Sequence, residues 1–244
     1  MYSRKTFILI AIATFFAVSC SKSIEYETFT YCQEGSQTDV NVNINIYVKV
    51  PKAGQSVALD SVRAAMTDFF AKNCSTDLQK CLEAYVEEIK DNAGVDMSFP
   101  DDEMALLFDY YDSIDIFGTS PYLFQYFSHF YEYDPGALHG LYASSYYVFD
   151  ATTGHLLKTV DIFNDQQQID NLLKQVAEEE GYDLSEPTSL TANNNFRLTN
   201  DSIIFTYNIY EIASYADGEI ELALSKNDIK PYVKQQSPVY KFWY

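Results

Sequence analysis

Apolar and polar side chains alternate without a break from Asn41 to Val50. Val42, Ile44, Ile46, Val48 and Val50 share one face, and Asn41, Asn43, Asn45, Tyr47 and Lys49 share the other. A strict period of two predicts a half-buried β-strand, which Pro51 stops. The period then lengthens. Leu59, Val62, Met66, Phe69 and Phe70 recur at helical spacing, and Leu78, Leu82, Tyr85, Val86 and Ile89 repeat it. Helices are therefore expected at about Leu59–Ala71 and Leu78–Lys90, the second ended by Asn92-Ala93-Gly94. Eleven of the 26 positions from Phe108 to Tyr133 are Phe or Tyr. That β-forming composition predicts two strands turning at Gly118-Thr119-Ser120-Pro121. Leu141–Asp150 is a further strand, expected to return through Ala151-Thr152-Thr153-Gly154 into a partner at His155–Val160. Asn164 or Asp165 caps a helix over Gln167–Glu180, with Ile169, Leu172, Leu173 and Val176 as its apolar stripe and Gly181 as its stop. Strands follow at Phe196–Leu198, Ser202–Tyr207 and Gly218–Leu224. The pattern predicts an α+β fold: one antiparallel sheet, with strands near Val42, Tyr122, Tyr146, Phe205 and Ile220, and helices packed on one face. Its two halves divide at about residues 40–127 and 128–244.

The chain ahead of this pattern has a different character. Arg4 and Lys5 precede an apolar run from Phe7 to Val18, and Ala17-Val18-Ser19-Cys20 closes it. The run is shorter than the roughly 20 residues that span a bilayer, so residues 1–19 read as a processed signal peptide. The small residues before Cys20 are similar to a lipobox. Acylation of the Cys20 thiol (palmitate chains) would then anchor a mature lipoprotein through a tether at residues 20–39. The expected location is the bacterial cell envelope, facing periplasm or cell surface.

Charge narrows the partners. Sixteen Lys and Arg stand against 35 Asp and Glu, a formal net charge of -19. Such a field repels nucleic acid and anionic lipid surfaces, which are excluded as main partners, and attracts basic proteins. With Cys20 lipidated, Cys32, Cys74 and Cys81 remain, and an oxidising envelope favours one disulfide. Cys74 and Cys81 are the nearest pair. Thr76 with Gln79 reads as a capping box, and seven residues of continuous helix would hold the two about 10 Å apart. That pairing therefore requires the chain to fold back at Asn73-Cys74-Ser75, and pairing of Cys32 with either remains open.

Catalytic signals are sparse. His139, in Pro135-Gly136-Ala137-Leu138-His139-Gly140, is placed to act as acid, base or ligand, or simply to hydrogen-bond a strand end. No second histidine stands at metal-like spacing, His129 and His155 are isolated, and no metal or cofactor is implied. Asp101, Asp102 and Glu103 after Pro100 suit a helix N-terminus as well as carboxylate chemistry. The aromatic run at Phe108–Tyr133 suits a sheet core, or a face on which sugars stack. No nucleophile elbow or phosphate loop occurs.

The segments Asn195-Phe196-Arg197-Leu198-Thr199, Ile203-Ile204-Phe205-Thr206-Tyr207 and Tyr210-Glu211-Ile212-Ala213-Ser214-Tyr215-Ala216-Asp217-Gly218 carry a resemblance. They resemble the extracytoplasmic domain of unknown function shared by the RsiV anti-sigma factor and PdaC-type peptidoglycan deacetylases. Tyr131-Glu132-Tyr133 through His139-Gly140 is similar to that family's Tyr-x-Tyr, Gly-Gly-Ala-His segment, and Asp161-Ile162-Phe163 to its Asp-Leu-Phe. Leu138 is an insertion relative to that pattern, and Asp201-Ser202 replaces an Asp-Gly turn. The deacetylase's metal-binding histidine spacing is missing, and only six residues precede the apolar run, too few for a sigma-binding segment. The resemblance implies a non-catalytic binding or sensing module, for lysozyme or a peptidoglycan-related glycan. The alternative is an enzyme or accessory acting on peptidoglycan. Contacts are expected from loops at the sheet's end: Gly136, His139 and Gly140 in one, and Tyr210, Glu211, Tyr215 and Gly218 in the other.

Overall fold

The alternation of Asn41–Val50 becomes the centre of strand β2 (Val40–Pro51), with its five apolar side chains buried to 2% exposure or less. The structure, a computed structural model, describes residues 23–37, 40–72, 74, 77–92, 106–182, 184 and 190–244. Cys20, the signal segment, Gly94 and the acidic run at Asp101–Glu103 lie outside the described residues.

Residues assigned from sequence to the tether form strand β1 (Tyr26–Gln37), paired antiparallel with β2 along its full length. The polar composition concealed it: Tyr26, Phe29 and Tyr31 reach the core, while Thr28, Thr30 and Cys32 point to solvent. Helices α1 (Val57–Ala71) and α2 (Leu78–Asn92) follow, with Ser56 capping the first through its hydroxyl. Val62, Met66, Phe70, Leu82 and Val86 seat them on the inner face of the sheet. Cys74 precedes α2 and is joined to Cys81 by a disulfide, with Cα atoms 5.8 Å apart. The two cysteines do not share a continuous helix.

The two helices carry the chain back across the sheet, so β3 (Leu106–Thr119) enters parallel to β2. This departs from the expected all-antiparallel order. Strands β4 (Leu123–Tyr133) and β5 (Leu141–Asp150) complete an antiparallel meander, giving the order β1-β2-β3-β4-β5. The division expected at residues 127 and 128 falls inside β4, whose alternating side chains serve two cores: Phe124 and Tyr126 face one, Leu123 the other.

The hairpin expected after β5 shrinks to one bridge between Phe149 and Leu156. The chain then enters the short helix α3 (Thr159–Ile162), started by the Asp161 carboxylate accepting from the Lys158 backbone N–H. Helix α4 (Gln166–Glu180) begins at Asp165 and ends at Gly181. Strands β6 (Phe196–Leu198), β7 (Ser202–Tyr207) and β8 (Ile220–Ser225) form a separate three-stranded sheet, where one continuous sheet was expected. Ile169, Leu173 and Ala177 of α4 cover it. Two short helices, α5 (Lys226–Ile229) and α6 (Pro238–Trp243), close the chain.

Side-chain amides join the two sheets where a backbone ladder would otherwise run. Buried Gln125 donates to the Leu198 carbonyl at 3.1 Å and accepts from its N–H at 2.9 Å. Asn195 accepts from Tyr146 N–H at 2.8 Å and donates to Ser144 C=O at 2.8 Å, and Asn208 accepts from Ser144 N–H at 2.7 Å. These bonds satisfy an edge that would otherwise be open to pairing. Arg197 makes a bidentate pair with Glu221 and lies 4.6 Å from the centroid of the Tyr146 ring on β5.

Gly154 ties the β5 turn to α1. Its φ is +73°, and a Cβ there would lie 2.6 Å from the Ala58 carbonyl oxygen. Both the dihedral and the backbone contact resist a side chain, so Gly154→Ala is expected to lose about 2 kcal/mol or more. Urea unfolding measures it; an unchanged midpoint would contradict this close approach.

Candidate functional site

The loop between β4 and β5 turns tightly, with Ala137 N–H donating to Asp134 C=O at 3.0 Å and Gly136 at φ +80°. The Tyr133 hydroxyl pins it by donating to Ala137 C=O at 2.9 Å. At its far end the Tyr131 ring lies against Gly140, where a Cβ would come within 2.6 Å of a ring carbon. Gly140 is required there because an aromatic ring occupies the space of a side chain.

The second loop leaves β7 and returns to β8. Asn208 holds its start against β5, and Glu211 N–H donates to Asn208 C=O at 3.0 Å. This turn drives Tyr210 to φ +66°, the only positive φ of a non-glycine among the described residues. A bulky residue in that region is strained, at a cost on the order of 1–3 kcal/mol. A single 3₁₀ turn, Tyr215–Asp217, follows, its start fixed by the Asp217 carboxylate accepting from Ser214 N–H and hydroxyl. Gly218 closes the turn, 3.4 Å in Cβ terms from the Tyr142 hydroxyl.

These loops, about 75 residues apart in sequence, meet. The His139 ring stacks on Tyr215 at 4.0 Å between centroids and 26° between planes. The Tyr215 hydroxyl donates to Gly140 C=O at 3.0 Å, and His139 Nδ1 lies 3.1 Å from the same oxygen. A carbonyl only accepts, so Nδ1 donates to it, and Nε2 lies 3.4 Å from the Tyr210 hydroxyl. Tyr210 and Tyr142 flank Tyr215 at 5.7 and 6.2 Å. The outward surface is apolar and aromatic: Leu138 is fully exposed, Tyr210 is 59% exposed and Leu141 49%. Acidic groups rim it. Asp134 and Asp217, in the two loops, and Glu211 beside Tyr210 are exposed.

Of the residues expected from sequence, Gly136, His139, Gly140, Tyr210, Tyr215 and Gly218 are brought together here. Glu211 faces a neighbouring open groove of about 480 Å³, lined also by Tyr146, Asn194 and Tyr207. His129 is elsewhere, bonded to Ser144 Oγ at 3.1 Å, and His155 pairs with Asp161 at 3.4 Å. Sequence reading did not single out Leu138 for this exposed surface, although an apolar side chain between a glycine turn and a histidine was a visible signal. Among the described residues, no three His, Cys, Asp or Glu side chains are arranged to hold a metal ion, and no helix is long and apolar enough to cross a membrane. The arrangement offers stacking, apolar contact and an acidic rim, which is recognition chemistry.

Comparison with known proteins places the fold. Residues 160–227 match the model of a family described as a protein of unknown function, DUF3298. The crystal structure of a DUF3298 family member from Bacteroides fragilis NCTC 9343 is similar, with a TM-score of 0.74 at 18% identity, over 90% of this chain and 96% of that one. A DUF3298 family protein from Pseudomonas aeruginosa PAO1 aligns with a TM-score of 0.61 at 16% identity, over 87% of this chain and 95% of that one. No curated protein matches the chain. The chain therefore has the fold of the solved DUF3298 proteins, and its segment from α3 to the start of α5 is the part similar to that family's model.

Proposed function

We propose that this chain is a non-catalytic binding or sensing module of the bacterial cell envelope, of the RsiV/PdaC type, held to the membrane by lipid on Cys20. The observation that carries the reading is the convergence of two distant loops into one exposed aromatic patch rimmed by carboxylates. Exposed tyrosines anchored by their own hydrogen bonds supply contact area at low entropic cost, as binding hot spots do. Charge selects a basic partner, with lysozyme the first candidate and a peptidoglycan-related glycan the second. His139 belongs to the patch as a stacked ring whose two nitrogens are engaged by Gly140 and Tyr210.

Two measurements test the setting and the chemistry. Mass spectrometry of the mature protein is expected to find a diacylglyceryl group on Cys20; an unmodified N-terminus elsewhere would remove the lipid anchor from the proposal. Incubation with peptidoglycan or chitooligosaccharides is expected to release no product. Turnover abolished by His139→Ala would instead make the protein an enzyme.

A further inference from the structure

On β3, Phe108, Tyr110, Asp112 and Ile114 alternate onto the buried face. Three are core side chains. The fourth is a carboxylate only 5% exposed. Its described partners are the Ser128 hydroxyl at 3.5 Å and the Ser113 backbone N–H, neither of them cationic. Among the described residues, no Lys, Arg or His forms an ion pair with it. Removing a charge from water without such a partner costs several kcal/mol as an order of magnitude, and cores avoid it.

The carboxylate lines a cavity of about 200 Å³ between α1, α2 and the sheet. Aromatic rings wall it. Phe69 packs edge-on against Tyr85 at 5.2 Å, Tyr110 against Phe130 at 5.5 Å, and Tyr126 stacks on Tyr147 at 4.6 Å. The Tyr85 and Tyr110 hydroxyls are bonded to each other at 3.1 Å, which leaves oxygen lone pairs available to a donor. Exposed Ala65 lies at the rim.

We propose that this cavity is an aromatic cage for a small organic ammonium ion, with Asp112 as its counter-ion. Ring faces attract a cation through their quadrupole, most strongly in a desolvated setting. The buried carboxylate, once ionised, supplies the full opposite charge. A hard metal ion would need several oxygen ligands, whereas this cavity offers one carboxylate, hydroxyls and aromatic rings. An organic ammonium ion needs only one counter-charge and apolar walls. The strongly negative chain raises the local concentration of any such cation. This site is separate from the loop patch and does not depend on its partner.

Choline is the probe, titrated calorimetrically into the full chain beside its neutral isostere 3,3-dimethyl-1-butanol. Saturable choline binding is expected, with the isostere at least about tenfold weaker. Asp112→Asn is expected to weaken choline by at least about tenfold while keeping the native circular dichroism spectrum, and Tyr85→Leu by several-fold. Absence of saturable binding, equal affinity for the isostere, or unchanged affinity in folded Asp112→Asn would each overturn the proposal.

Discussion

At pH 8, Asp112→Asn is expected to unfold at a higher denaturant concentration than the parent chain, with a gain of about 2–4 kcal/mol. Burial pushes the Asp112 carboxyl up to about 7, against an ordinary value of 3.8. Ser128 and the Ser113 N–H oppose that rise only in part. The sign follows from where the proton sits. Between pH 4 and pH 7 the folded chain keeps a proton that the unfolded chain has released. Stability contributed at this site therefore falls as pH rises through that window, and is level above it. Asparagine does not titrate, so the variant lacks this loss. The gap between variant and parent should be near zero at pH 4, widen through neutrality and hold at pH 8. Urea midpoints at pH 4, 6 and 8, measured without added amines, give the profile. A gap independent of pH would mean that the carboxyl is not desolvated as its burial indicates.

Tyr210→Gly is expected to abolish partner binding, by at least about 30-fold, without lowering the stability of the fold. The ring is 59% exposed, so little packing is lost with it. Its φ of +66° is one that glycine adopts freely, and release of that strain offsets the entropy a glycine adds to the unfolded chain. The neighbouring stack of His139 on Tyr215 keeps its own bonds to Gly140. A hot-spot side chain held in a strained backbone thus separates recognition from folding. Thermal unfolding and binding on the same preparation distinguish the two. Loss of binding accompanied by a lowered Tm would assign Tyr210 a structural role, and retained binding would move the interface away from this patch.

Periodicity made much of this architecture legible. The alternation at Val42–Val50, the stripes of α1, α2 and α4, and the turn after Gly118 all recur at or near their expected positions because each is set by local burial. What was not legible depended on partners distant in sequence. β1 looks polar because one of its faces is wet and the other carries Tyr and Phe where Val or Ile would have signalled a strand. The split into two sheets is invisible because Gln125, Asn195 and Asn208 make the joining bonds, and an amide reads as a surface residue until its neighbour is known. Parallel entry of β3 follows from the path of α1 and α2, which spacing alone does not fix. The first loop of the patch was legible from its glycines and the second through the family resemblance, yet their stacking across about 75 residues was not. Asp112 was open to a period-two reading, since its neighbours at 108, 110 and 114 are all apolar or aromatic, but the density of Tyr and Phe around it masks a single charged side chain.

Calorimetric titration of lysozyme into the soluble domain, at low and moderate salt, tests the central claim most directly. Saturable one-to-one binding is expected at both, with a slower association at higher salt because charge acts mainly on encounter. The same titration of variants with the Gly136–Gly140 loop replaced, or with Tyr210→Gly, is expected to give no specific heat. Heat that vanishes entirely at moderate salt, or is absent at both, would contradict the assignment of this patch to a basic protein partner.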